Sequence, residues 1–131
     1  MKTKRSSFFA ASLLLSVLLA ASGCVAIVAG GAGAGTMAYL RGELQGSVAA
    51  DINRTQRAVE QVVAAKGLNK ISAESDDLSG EVIARTSDDR RVRITLKRGG
   101  ERITEVRIRV GTFGDETLSR DLFEAIRSRA E

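Results

Sequence analysis

The stretch from residue 91 to residue 110, RVRITLKRGGERITEVRIRV, decides the fold. Aliphatic residues alternate with arginines and other polar residues on both sides of the Gly99–Gly100 pair. Alternation of this kind is typical of strands with one buried and one exposed face, and a glycine-containing break between two such runs favours a β-hairpin. The sequence therefore predicts strands at Arg91–Lys97 and Ile103–Val110. Their buried face consists of Val92, Ile94, Leu96, Val106, Ile108 and Val110.

Further strand patterns lie before this hairpin. Two are predicted at about Lys70–Ser75 and Gly80–Thr86, with clusters of Ser and Asp between the strands. Such clusters favour turns because their short side chains hydrogen-bond to the nearby backbone. Closer to the N-terminus, the apolar residues Leu40, Leu44 and Val48 suit a half-exposed strand, although the same spacing also suits a helix.

Two segments show the period of an amphipathic helix. Asp51 is placed to cap a helix that runs to about Lys66, and Gly67 is placed to end it. A second helix is predicted from Asp115 to Ala130, because its acidic start and basic end match the helix dipole. The predicted apolar stripes are Ile52, Thr55, Val59, Val62 and Val63 in the first helix and Leu118, Leu122, Ala125 and Ile126 in the second.

These elements predict an α+β fold. Its single antiparallel sheet has four to five strands, and two helices cover one face, in the chain order strand, helix, four strands, helix. About 90 residues suffice for one modest core. We therefore assign residues 39–131 to one small domain.

The chain begins with the three-part layout of a secretory signal peptide. Basic residues at positions 2, 4 and 5 precede an apolar stretch from 8 to 21 that is short for a membrane span. The sequence LAASGC, which ends at Cys24, resembles the lipobox of bacterial lipoproteins, with Ala21 where leucine is commonest. The alternative is an ordinary signal peptide followed by a stray or buried cysteine.

The lipobox resemblance implies a lipid anchor on Cys24. In that family the thiol receives a diacylglycerol, the signal peptide (here residues 1–23) is removed, and the new amine is acylated. Each buried methylene contributes about 0.8 kcal/mol, so several acyl chains hold a protein on a bilayer almost irreversibly. Because Val25 stands where an aspartate would resemble an inner-membrane retention signal, the implied location is the periplasmic face of the outer membrane.

The run of glycines and alanines after Cys24 allows three interpretations. A nucleotide-binding loop is rejected, because Thr36 stands where the last glycine of G-x-G-x-x-G belongs and no lysine follows for a Walker A loop. A membrane helix is possible, because no residue from Ser6 to Leu40 is charged and small residues recur as in packed membrane helices. We favour a flexible tether over residues 24–38, because glycine maximises backbone freedom.

The composition argues against nucleic-acid binding and against catalysis. Three of the 20 basic residues lie in the signal peptide, which leaves 17 against 16 acidic residues and a nearly neutral mature chain. The chain has no histidine and one cysteine, so it lacks the usual general base and the commonest zinc ligand. The Asp76–Asp77 and Asp88–Asp89 pairs are interpreted as turn formers. We predict no enzymatic activity, no cofactor and no metal site.

A row of arginines is the one surface that suggests binding. A three-residue turn around Gly100 would pair Ile94 with Val106, and the same argument around Asp89 would pair Ala84 with Ile94. Arg93 would then lie between Arg85 and Arg107 on the solvent face, with Arg91 opposite Arg109 in the next row. The candidate binding face therefore consists of Arg85, Arg91, Arg93, Arg107 and Arg109.

Like charges directly opposite each other on a sheet cost up to about 1 kcal/mol per pair. One interpretation is that the guanidinium groups splay into solvent and pair diagonally with Glu81, Glu101 or Glu105. The other is an anion-binding face for phosphates, carboxylates or an acidic partner protein, held by bidentate contacts. Anionic lipid and peptidoglycan are the candidate ligands near an outer membrane.

The segment GTFGDE, residues 111–116, connects the last strand to the last helix. We expect Gly111 and Gly114 to bend the chain, Phe113 to plug the end of the core and Asp115 to cap the helix. A ligand-binding loop is the alternative.

The motifs YLRGEL (residues 39–44) and VRIRVGTFGDE (residues 106–116), behind a lipobox and a glycine run, resemble a family of short bacterial lipoproteins known only as a domain of unknown function. The resemblance covers essentially the whole chain. It implies an envelope lipoprotein with an α+β domain and brings no activity. We expect a non-catalytic interaction or scaffold module; the alternative is a structural membrane component whose glycine-rich segment inserts or self-associates. The oligomeric state stays open.

Overall fold

A six-stranded antiparallel sheet with two helices on one face forms the domain in a computed structural model, which describes residues 37–131. The strands lie in the order β1-β2-β6-β5-β4-β3. The elements are β1 (Met37–Leu40), β2 (Glu43–Val48), α1 (Ile52–Ala65), β3 (Asn69–Ser75), β4 (Ser79–Arg85), β5 (Arg91–Gly100), β6 (Ile103–Val110) and α2 (Glu116–Ala130).

The predicted α+β class, antiparallel sheet and pair of helices are confirmed, but the sheet has one strand more than predicted. The N-terminal segment is a hairpin of two strands, in which Leu40 pairs with Glu43 across a turn made by Arg41 and Gly42. Both turn residues have positive φ, 54° and 80°. Two residues with positive φ are the usual way to close a two-residue hairpin. Because an arginine rarely adopts this conformation, the sequence carries no signal for a turn here and is interpreted as one continuous strand. Because β1 begins at Met37, the sheet starts two residues before the predicted domain.

The core lies between the sheet and the helices. The six apolar residues predicted for the buried face of the hairpin are all at most 1% exposed. The same holds for all five residues of the stripe predicted for the first helix, which is α1. In α2, Leu122 and Ile126 are buried as predicted, whereas Phe123 is a fully buried residue that the predicted stripe omitted. Every residue of this core cluster lies between Leu44 and Ala130, so the described part of the chain contains a core of its own.

The predicted strand register is wrong by two residues in both hairpins. Ile94 pairs with Ile108 rather than Val106, and Ala84 pairs with Val92 rather than Ile94. β5 extends to Gly100 with an irregularity between Arg98 and Gly100, so the turn lies later in the chain than assumed. A shift of two residues keeps each side chain on its face and changes only its partner across the strands.

Candidate anion-binding face

The arginine face lies on the side of the sheet that the helices leave uncovered. Arg85, Arg91, Arg93 and Arg109 alternate along their strands with buried core residues, so they point away from the core. In the observed register Arg85 lies opposite Arg91, and Arg93 lies opposite Arg109. The structure thus retains two directly opposed arginine pairs, although both differ from the predicted ones.

Arg107 does not join these pairs. It lies on the same face, but its partners across the neighbouring strands are Thr95 and Gln45. The four opposed arginines instead line an open cavity of about 660 Å³ together with Arg90 and residues 110–114. Sequence reasoning missed Arg90, for which the position directly before β5 was the available signal, and it assigned the loop after β6 a ligand-binding role only as an alternative.

The arginines of the cavity differ in how far they are already paired. Arg85 forms an ion pair with Asp89 at 2.6 Å, and Arg93 lies 3.4 Å from Glu81. Arg109 donates a hydrogen bond to the carbonyl oxygen of Thr112 at 3.0 Å. Arg91 is exposed, and its guanidinium group has no hydrogen-bond or ion-pair partner within residues 37–131. Of the diagonal carboxylates considered from the sequence, only Glu81 pairs with one of these arginines.

Arg90 fastens the turn before β5 to the start of α2. Its guanidinium contacts Asp115 at 2.7 Å and Asp88 at 2.6 Å, and these two carboxylates raise its pKa. Asp115 caps α2 as predicted, since its side chain accepts a hydrogen bond from the backbone N–H of Leu118 at 2.9 Å. That bond, followed by the charge of Arg90, lowers the pKa of Asp115. Arg90 therefore holds the cavity wall in position through two of its nitrogen atoms, Nε and Nη1.

The expectation that Phe113 plugs the core is wrong. Its side chain is 92% exposed, and the loop that carries it turns away from the core between Gly111 (φ 69°) and Gly114 (φ 87°). The phenylalanine that is fully buried in the core cluster is Phe123 of α2. Phe113 is consequently a solvent-exposed aromatic side chain at the rim of the arginine cavity.

The two sequence motifs that suggested a family meet at this loop. A Cβ atom on Gly114 would collide with the carbonyl oxygen of Gly42 and with the Tyr39 hydroxyl oxygen, and a Cβ on Gly42 would collide with the carbonyl oxygen of Phe113. The turn between β1 and β2 therefore packs backbone to backbone against the loop after β6. Both glycines are needed for this close approach, which holds Phe113 in place.

The acidic pairs of the sequence serve as turn formers. Asp76 accepts hydrogen bonds from the backbone N–H groups of Leu78 and Ser79, both at 2.7 Å, and these bonds lower its pKa. Asp88 and Asp89 each pair with an arginine of the cavity wall. Within residues 37–131 no group of three or more His, Cys, Asp or Glu side chains is arranged to hold a metal ion.

Two predictions fall on residues that the structure does not describe. The signal peptide, Cys24 and residues 25–36 of the predicted tether lie outside the described residues, whereas Met37 and Ala38, the last two residues of that tether, belong to β1. Among the helices of residues 37–131, none has the length and apolar character needed to cross a bilayer.

The fold and the site together define a small α+β domain with a cationic sheet face. The chain belongs to the family described as "Protein of unknown function (DUF3568)", whose model matches residues 7–129. This match confirms the resemblance to a family known as a domain of unknown function, and the description of that family names no activity. A comparison with curated proteins finds no match for this chain.

Proposed function

We propose that this protein is a lipid-anchored lipoprotein of the cell envelope, on the periplasmic face of the outer membrane, whose domain is a non-catalytic module for binding anionic groups. The binding surface is the cavity between β4, β5 and β6. The observation that carries the proposal is the placement of two directly opposed arginine pairs, Arg85 with Arg91 and Arg93 with Arg109, on an uncovered sheet face.

An anion between these arginines would relieve their mutual repulsion. Like charges opposite each other on a sheet are unfavourable, whereas a phosphate or carboxylate accepts two parallel hydrogen bonds from a guanidinium group. Arg91 is the principal ligand-binding candidate because no carboxylate neutralises it. Arg109 is the second, since its one hydrogen bond goes to a neutral carbonyl group.

Catalysis finds little support in the residues around the cavity. The chain contains no histidine, and the carboxylates Asp89, Asp115 and Glu81 at the cavity are each paired with an arginine. The pKa of Asp115 is lowered by its capping hydrogen bond and by Arg90, so this carboxyl group is a weak general acid or base near neutral pH. Recognition of a charged group is the chemistry that this arrangement supports best.

A titration with inorganic pyrophosphate, followed by NMR chemical shifts of the full-length protein in detergent, tests the binding surface. We expect the resonances of Arg91, Arg109 and the loop at residues 111–114 to shift with saturable dependence on pyrophosphate. The Arg91→Gln/Arg109→Gln variant should lose most of this response. Arg102→Gln, which removes an exposed arginine at the other end of β5 and β6, is the matched control and should respond like the wild type. Equal responses of all three proteins would contradict the proposal.

A further inference from the structure

Two large apolar side chains stand exposed at the same edge of the domain as the arginines. Phe113 is 92% exposed and Leu40 is 56% exposed. Both flank Arg109, which lines the arginine cavity with Phe113 and a second, adjoining cavity with Leu40 and Arg41. Isolated exposed apolar residues are common, but two of them around one cluster of cations form a combined apolar and basic surface.

The loop presents Phe113 in a stable position. The loop backbone packs directly against Gly42 in the turn that follows Leu40. Arg90 and Asp115 fasten the following residues to α2. Because these contacts already fix the loop backbone, binding through Phe113 costs little additional backbone freedom.

The charges around the two apolar residues are predominantly positive. Arg41 and Arg91 have no carboxylate partner within the described residues, and Arg109 is bonded only to a carbonyl oxygen. Of the acidic side chains nearby, Asp89 pairs with Arg85, whereas Glu43 keeps its charge because its hydrogen-bond donor is the neutral amide of Gln45. Three arginines without a carboxylate partner therefore stand against one such carboxylate. The edge therefore complements a negatively charged surface.

The position of the tether agrees with a membrane as the partner. Thirteen peptide units separate Cys24 from Met37, and an extended chain spans roughly 3.3–3.6 Å per residue, or about 45 Å. The acyl groups of the proposed function would keep the domain within this distance of the bilayer and raise its effective concentration there. The inference rests on the proposed function in this respect.

We infer that the edge formed by Leu40, Arg41, Arg91, Arg109 and Phe113 docks on the surface of an anionic bilayer, with Phe113 inserted at the level of the headgroups. Interfacial binding of this type combines burial of apolar side chains with attraction between basic residues and anionic lipids. The arginine cavity then engages lipid phosphates, and the domain lies on the leaflet to which its N-terminus is attached.

A tryptophan at position 113 tests the insertion, because the protein contains no other tryptophan. The fragment 37–131, which contains the complete described core, is prepared as Phe113→Trp and checked for cooperative thermal unfolding. We expect its fluorescence to shift to shorter wavelengths with phosphatidylglycerol vesicles and to be quenched by brominated acyl chains. Phosphatidylcholine vesicles should produce neither change. Leu78→Trp, at a 65% exposed site in the turn at the opposite end of β4, is the matched control and should not respond.

Variants separate the apolar from the electrostatic contribution in vesicle co-sedimentation. Phe113→Ser should lower the affinity for phosphatidylglycerol vesicles roughly fivefold to tenfold. Arg91→Glu should lower it at least about tenfold, because each basic residue near an anionic surface contributes a factor of this order. Leu78→Ser and Arg102→Glu are the controls and should bind like the wild type, and added salt should weaken binding of all proteins that retain the arginines.

Absence of vesicle binding by the wild-type fragment would overturn the inference. Vesicle binding in which the indole of the Phe113→Trp variant stays exposed to solvent would also overturn it, since the arginines alone would then hold the lipid. Pyrophosphate binding without vesicle binding would leave the anion site valid and the docking wrong. A bare Cys24 thiol in the native protein would refute the lipid anchor and leave binding of the fragment to vesicles as an independent result.

Discussion

At the scale of single residues, Gly114 decides where Phe113 points. The residue has φ 87°, and any Cβ atom would collide with Gly42 and Tyr39. Two separate requirements, a left-handed backbone and backbone-to-backbone contact, therefore exclude every other amino acid at this position. The exposed phenylalanine is thus a consequence of the loop geometry, which in turn depends on the turn between β1 and β2.

We expect Gly114→Ala to destabilise the domain by at least about 2 kcal/mol, because backbone strain of about 1–3 kcal/mol adds to the steric collision. Gly67→Ala is the matched control: its φ is also positive, 66°, but no atom lies within 4 Å of the added Cβ. It should cost only the conformational strain, about 1 kcal/mol. Urea unfolding of both variants measures the difference, and equal losses would show that the contact with Gly42 is unimportant.

At the scale of elements, the register of the strands decides which arginines are neighbours. Arg85 faces Arg91 across β4 and β5, whereas Arg107 faces Thr95 and Gln45. The repulsion is consequently concentrated at one end of the sheet, beside the loop that carries Phe113. Burial of the alternate positions fixes the face of each strand, and the length of each turn fixes its partner.

Arg91→Glu should stabilise the isolated domain by a few tenths of a kcal/mol to about 1 kcal/mol at low salt, because an attractive pair with Arg85 replaces a repulsive one. Arg107→Glu, with neutral residues opposite on both sides, should leave the free energy of unfolding nearly unchanged. Chemical unfolding at two ionic strengths measures both effects. The same Arg91→Glu variant is expected to bind vesicles less well, so a loss of binding in a more stable protein cannot be attributed to misfolding. A destabilised Arg91→Glu variant would contradict the observed register.

At the scale of the whole molecule, our proposal joins an anchor at Cys24 to a folded domain. Within residues 37–131, every residue of the buried core cluster lies between Leu44 and Ala130. In this proposal the anchor sets the location of the protein, and the cationic edge sets how the domain meets the bilayer.

Intact-mass analysis of the protein purified from its native envelope tests the anchor. We expect a chain that begins at Cys24 and carries the added mass of a diacylglycerol and an amide-linked acyl group. Cys24→Ser should shift the protein from the membrane fraction to the soluble fraction or leave the uncleaved precursor, because the thiol is the only attachment point that the lipobox resemblance implies. A wild-type protein with a free thiol, or one that still begins at Met1, would refute the proposal.

The sequence by itself determined the buried faces of β5 and β6, the position of both helices and the cap at Asp115. These features depend on local periodicity and on short-range hydrogen bonds, which can be read along the chain. It also indicated that the arginines share a face, because side chains alternate strictly in a strand.

Only the tertiary structure decided the hairpin at Arg41–Gly42, the partners of the arginines and the outward position of Phe113. The partners of the arginines depend on the strand register, which is set by the turn lengths and by an irregularity near Gly100. The position of the loop depends on the close approach of Gly42 to Gly114, two residues that are distant in sequence. Phe123, rather than Phe113, is the phenylalanine buried in the core. Local patterns specify which face a residue occupies, whereas packing between distant segments specifies its neighbours.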